Sequence, residues 1–254
     1  MVKKIILFFL LILGIFLVYL KISSPQISPK IENKVDQIVN QIEDVKETIA
    51  PKPTKISSTG LPDKHLIKTA FIQQAPEKNW DQPWQDACEE AALLTVDYFY
   101  KNQIPNLETN KNDILKMIEF ENKQSFTKDM NIEQMALVSE NYLGYSTKII
   151  DNPTVEDIKK YLAQDIPVVI PANGKTLYQE NKHFSSGGPY YHNLTILGYD
   201  DTKNQFTVHD VGTKSGAYFK YSYSLLMESI HDFPDTGHKE DINTGSKRIL
   251  ILLK

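Results

Sequence analysis

Three side chains carry the chemistry open to this sequence: Cys88, His192 and Asp210. Cys88 is the single cysteine of the chain. It opens an apolar pattern with helical spacing, namely Ala91, Ala92, Leu94, Thr95, Tyr98 and Phe99. Pro83 and Trp84 stand just ahead of it and argue against helix there. The thiol is therefore expected at a helix N-terminus, where unpaired N–H groups and the positive dipole end favour a thiolate. A thiolate so placed is a nucleophile in need of a base. The bland alternative is a small buried hydrophobe, the usual fate of a lone cysteine on an apolar helix.

A base is available. His192 begins HNLTILGYD, Asp210 falls near the end of QFTVHDVG, and the polar turn Asp201 to Asn204 joins the two runs. Antiparallel pairing across so short a turn brings His192 and Asp210 together. A carboxylate beside an imidazole holds its tautomer, and the other ring nitrogen can then serve a nucleophile. Singly, a strand-end histidine and a turn carboxylate are ordinary structural features. Their coincidence with an unpaired, helix-start cysteine is much less easily accidental.

The elements that must position them read as an α+β layout, a helical layer packed on an antiparallel sheet. LIKTAFIQQ (66–74) reads as a strand, followed by a turn and the Cys88 helix. Spacing predicts helices over 112–120 and 131–143, a strand over 145–150, and a helix over 154–164 that opens on a Thr154/Asp157 capping box. A short buried strand (166–172) leads into a loop rich in glycine, serine and aromatics, Asn173 to Tyr191. Beyond the hairpin come a strand over 218–224, a helix over SLLMESIHD and a closing strand, RILILL. In the 173–191 loop, Tyr178, Phe184, Tyr190 and Tyr191 offer aromatic faces to a peptide groove, and Gly187–Gly188 suggest a mobile cover.

Composition sets bounds. The chain has 254 residues, with 28 Lys plus Arg against 32 Asp plus Glu and 41% apolar residues. That suits one core plus extras and speaks against a nucleic-acid binder, as does Arg248 being the lone arginine. At the N-terminus, Lys3 and Lys4 precede the apolar run Ile5 to Leu20. At 1.5 Å per residue the run spans roughly 24 Å, and flanking lysines can snorkel to make up a membrane's thickness. No A-x-A cleavage pattern follows it, so 1–21 is expected to be an uncleaved anchor in the cell membrane, with the remainder extracytoplasmic. Were the segment cleaved, the protein would be secreted. An unpaired thiol in an oxidising space is either sealed away or reactive.

Residues 22–64 read as a stalk. Ile31, Val35, Ile38, Ile42, Val45 and Ile49 follow a heptad rhythm that Pro51 and Pro53 end. The pattern supports either a short coiled coil joining stalks into a homo-oligomer or an isolated amphipathic helix. The globular domain is expected over 65–254.

FIQQAPEKNW, QDACEEAALL, IPVVIPANGK, GPYYHNLTILGYDD and HDVGTKSG together resemble the papain-like cysteine peptidases of the bacteriocin-processing, or double-glycine, type. The free-standing, membrane-tethered bacterial branch is the most similar. The resemblance implies a papain-like fold, a peptide or protein substrate, and no metal or organic cofactor. It implies Cys88 as nucleophile, His192 as base, Asp210 as orienting carboxylate and an upstream glutamine at the oxyanion. Gln74 fits the strand-then-glutamine pattern, Gln82 fits the usual spacing to the nucleophile, and Gln73 and Gln85 fit less well. Val211 stands where the family usually has proline.

Other classes fit worse. Six histidines include no H-E-x-x-H and no close Cys/His spacing, so a zinc hydrolase is disfavoured, and His209 and His231 read as packing or surface residues. G-x-S-x-G is missing, and a sortase-like enzyme would place histidine before cysteine. A cell-wall cysteine endopeptidase and a catalytically silent peptide-binding module on the same fold are the remaining alternatives.

Overall fold

RILILL has no polar face, so a strand built from it must be covered on both sides. A computed structural model, which describes residues 60–254, shows how. The expected anchor (1–21) and the heptads of residues 31–49 lie outside the described residues. Among the described residues no helix is long and apolar enough to cross a membrane.

The strands are β1 (Lys64–Leu66), β2 (Ser146–Asp151), β3 (Val168–Asn173), β4 (Tyr191–Asp200), β5 (Gln205–His209), β6 (Phe219–Ser222) and β7 (Arg248–Leu253). They form one antiparallel sheet in the order β2-β7-β3-β4-β5-β6, with β1 on β4. The helices are α1 (Cys88–Lys101), α2 (Leu107–Lys123), α3 (Ile132–Val138), α4 (Val155–Leu162), α5 (Gly174–Leu177) and α6 (Tyr223–Ser229).

Alternation along the central strands splits their side chains between two cores. Val169, Leu250 and Leu252 pack with α1, α2 and α3. Val168, Ile170, Ile249 and Ile251 pack with Ile158 and Leu162 of α4 and Leu225 and Leu226 of α6. Helices thus cover both faces, where the sequence suggested a single helical layer. The strand expected over 66–74 is confined to β1. Beyond it the segment follows the sheet with isolated bonds, Ile67 N–H to the Leu197 carbonyl and Gln74 N–H to the Val211 carbonyl. The Thr154/Asp157 capping box forms as expected.

Between α1 and α2 the carboxyls of Glu90 and Glu121 are buried close together, and Glu90 Oε2 and Glu121 Oε1 have no other protein partner. Burial pushes Glu121 up to about 7 from its ordinary 4.5, against a lowering effect of the neighbouring Glu90 carboxyl. A carboxyl raised in the folded state stabilises it below the unfolded value, and that contribution is lost as pH rises through the folded value. Glu121→Gln should therefore be the more stable protein at pH 8, by ~2 kcal/mol or about 4–8 °C in Tm. At pH 3.5, below the unfolded value, the two melting curves should coincide. Equal Tm at both pH values would refute the assignment.

Candidate active site

Sequence breaks helix before Cys88, and the structure places a single 3-10 turn there, Trp84–Asp86. Ala87 follows, and α1 starts at Cys88 with no side-chain cap. Cys88 is 5% exposed and looks into a cleft of about 490 Å³. Gln74, Phe184, Tyr191, His192 and Gly212 also line it.

The sulfur has company that the sequence did not advertise. Its S–H donates to Glu89 Oε2 at 3.0 Å, and Asn193 Nδ2 lies 3.9 Å from Sγ. Glu89 Oε1 accepts from the Met130 N–H at 3.0 Å, while the Tyr191 hydroxyl donates to the Met130 carbonyl at 2.7 Å. Both backbone polar groups of Met130 are thereby held by residues beside Cys88 and on β4. Burial pushes the Cys88 thiol well up, and the charge and hydrogen bond of Glu89 push further in the same direction. This reverses the expectation from the helix terminus. A dipole effect that falls off within one helical turn is outweighed by desolvation and an adjoining acid.

His192, near the start of β4, pairs across β3 with Ala172. β5 pairs Thr195 with His209 after a register shift between Ile196 and Gly198. Asp210 follows as the first residue beyond β5. His192 Nε2 and Asp210 Oδ1 then meet at 2.8 Å, with both side chains buried. Asp210 Oδ2 accepts from Asn181 Nδ2 at 2.8 Å and from the Tyr221 hydroxyl at 2.5 Å. Burial alone would raise this carboxyl, but the adjacent imidazole and the donors bring it below its ordinary value. Ionised, it accepts the Nε2–H of His192.

Two glycines allow this. A Cβ on Gly212 would stand 2.6 Å from His192 Cε1, and one on Gly216 would stand 1.8 Å from the Asp210 carbonyl oxygen. Phe184 packs edge-to-face on His192, with centroids 5.3 Å apart.

The glutamines separate clearly. Gln74 is buried at the cleft, its Nε2 donating to the carbonyls of Trp84 (3.0 Å) and Gln85 (3.3 Å), and its Oε1 has no partner. Gln73 and Gln85 also border the cleft. Gln82 is exposed, binds Asp86 at 2.6 Å and does not line the cleft.

A model of the Peptidase_C39 like family matches residues 67–237. The chain belongs to that family. It is a cysteine-type peptidase. Among solved structures it is similar to a C39-like peptidase from Bacillus anthracis, at 15% identity over 75% of this chain and 98% of that one, with a TM-score of 0.46. It is also similar to xylellain, a cysteine protease from Xylella fastidiosa, at 12% identity over 80% and 90% of the two chains, with a TM-score of 0.40. No curated protein sequence matches it.

Of the peptidase's loop aromatics, Phe184 and Tyr191 line the cleft and are buried, whereas Tyr190 is exposed under the Lys175 ammonium. Gly188 is not a hinge by default. With φ at +84° and a Cβ position 2.3 Å from the Gly174 carbonyl oxygen, it lets the loop close tightly on α5. His209 is a packing residue, as expected. It is buried between Phe71 and Tyr218, its Nδ1 accepts the Tyr218 N–H, and burial lowers it to about 4. Among the described residues no cluster of His, Cys, Asp and Glu could hold a metal ion. Sequence reasoning missed Glu89, Asn181, Asn193 and Tyr221. The CEEA string held the one available signal, an acid beside the cysteine on a helix start.

Proposed function

We propose that this peptidase hydrolyses peptide bonds with Cys88 as nucleophile, His192 as base and Asp210 as orienting carboxylate, on the outer side of a membrane that Ile5–Leu20 spans. The observation that carries the catalytic part is the 2.8 Å contact of His192 Nε2 with a buried, ionised Asp210, on the cleft that Cys88 opens into. With Nε2–H committed to Asp210, Nδ1 is the nitrogen left for the sulfur.

Nδ1 takes the thiol proton as Sγ attacks the carbonyl carbon of the substrate. Charge builds on the carbonyl oxygen, where the Cys88 N–H has no partner in its own helix. Gln74 supplies the second donor. One of its two N–H groups, which donate to the Trp84 and Gln85 carbonyls at rest, turns toward the oxyanion. The imidazolium gives its proton to the leaving amine, and the C–N bond breaks. Water, deprotonated by Nδ1, then attacks the thioester carbon, the C–S bond breaks to release the acid, and the imidazolium proton returns to the sulfur. The domain boundaries follow the same reading: anchor 1–21, stalk 22–64, peptidase 65–254, with the heptads as the joining surface if stalks associate.

One experiment tests the whole proposal. Intact cells bearing the full-length chain are given a membrane-impermeant peptide library, beside cells bearing Cys88→Ala. Cleavage by the first and none by the second is the expected result. Equal cleavage by both removes Cys88 from the mechanism. Cleavage that appears only after lysis removes the outward placement.

A further inference from the structure

The residue that follows the nucleophile position is an acid with no counterion. Glu89 is fully buried on the first turn of α1, and no cation lies within salt-bridge distance of it among the described residues. Its two oxygens have separate tasks. Oε1 accepts the Met130 N–H, and Oε2 faces Sγ of Cys88 at 3.0 Å. The groups around the pair are Glu90 on the same helix, Asp129 in the segment leading to α3, and Tyr191, His192 and Asn193 on β4. Of these only His192 can turn cationic, and its Nε2 side is committed to Asp210.

A thiolate and a carboxylate 3.0 Å apart in so dry a place repel strongly, so the two groups cannot both ionise near neutral pH. Nor does the site supply a reason for both to be neutral: Met130 N–H and Asn193 Nδ2 are donors aimed at the oxygen and the sulfur. We infer that Glu89 is a positioning residue that shares one proton with Cys88, so that the pair carries a single negative charge and Glu89 sets the pH at which the sulfur becomes nucleophilic. The raised thiol and the raised Glu89 carboxyl, each driven first by burial, are consistent with one proton held between them. During cleavage Nδ1 of His192 takes this shared proton as the sulfur attacks and passes it to the leaving amine, and Glu89 is left ionised beside the acylated, uncharged sulfur. In an oxidising space, the acid also restrains attack of the sulfur on oxidants when no substrate is bound.

The inference rests on Cys88 being the nucleophile, but its test does not need a substrate. Cys88 is the single thiol of the chain, so its alkylation by iodoacetamide can be followed by mass in the full-length protein across a pH series. Glu89→Gln keeps an oxygen for the Met130 N–H and cannot take a charge. Its alkylation curve should move to lower pH by roughly one unit or more, with a rate at pH 7 about tenfold above the parent. An unchanged curve assigns Glu89 to the Met130 anchor alone and overturns the proposal, as does a curve moved upward. Should Glu89→Gln fail to fold, Glu89→Met has similar length and also lacks the charge. It should show the same downward shift at a lower Tm, and an unmoved curve there is equally adverse. Loss of cleavage in Cys88→Ala is a separate result, so failure of the protease mechanism and failure of the shared proton can be told apart.

Discussion

Asp210→Asn should lower kcat/KM roughly 10³–10⁴-fold at pH 7. The carboxylate accepts from three donors at once: His192 on Oδ1, and Asn181 and Tyr221 on Oδ2. Asparagine has one oxygen to offer. If it keeps that oxygen toward His192, its NH₂ is driven against the NH₂ of Asn181 in a buried site, and the Tyr221 hydroxyl must turn round to accept. If it turns the oxygen to those donors, the NH₂ faces Nε2. The imidazole proton must then sit on Nδ1, where it blocks uptake of the thiol proton. Either way the negative charge that supports the imidazolium is gone. The prediction has an internal control. Removing the facing donor with Asn181→Leu relieves that clash, so the double variant should recover part of the loss. Activity of Asp210→Asn within threefold of the parent would mean the carboxylate is only a structural anchor.

The second large effect is expected at Gly212→Ala. Its added methyl would stand 2.6 Å from His192 Cε1, 3.2 Å from Nε2 and 3.2 Å from Phe184 Cε1. The imidazole cannot retreat, since Asp210 holds one edge and the Phe184 ring packs against it. Overpacking of this kind costs about 1–3 kcal/mol of stability. Misplacing a base by an ångström costs about 10²-fold in rate. Kinetics should therefore show a fall of about 10²-fold in kcat/KM alongside a modest drop in Tm. Phe184→Ala in the same chain opens space for the ring and should restore part of the rate without restoring Tm. A Gly212→Ala protein with parental kinetics would show that His192 tolerates movement.

Much of the positioning was legible because it is local. The Pro83–Trp84 break and the spacing from Ala91 to Phe99 are enough to start a helix at Cys88, and the structure starts it there. A four-residue polar turn between two β-rich runs is enough to bring His192 toward Asp210. RILILL announced a buried strand, though not that β7 lies between β2 and β3, far from its chain neighbours in the sheet order. The strand expected over 66–74 failed for a related reason. Its sequence suits a ladder, but β1 finds a partner on β4 only at Gly198 to Asp200, and beyond that the segment is engaged by α1 and the 210s loop.

Electrostatics was the least legible layer. The same residues that put Cys88 at a helix start argued for a lowered thiol, and the folded environment raises it. Burial and the orientation of the Glu89 carboxyl decide that sign, and neither has a period or a motif.

The sequence alone determined that one thiol begins a helix, that an imidazole and a carboxylate share a hairpin, and which peptidase family those segments resemble. Short-range sterics, turn geometry and side-chain periodicity act over a few residues, so they can be read from neighbours in the chain. Only the tertiary structure decided that Gln74 rather than Gln82 borders the cleft, that Tyr221 and Asn181 support Asp210, and that Glu89 faces the sulfur. Those contacts depend on where distant segments come to rest and on how much water they exclude, which no local pattern encodes.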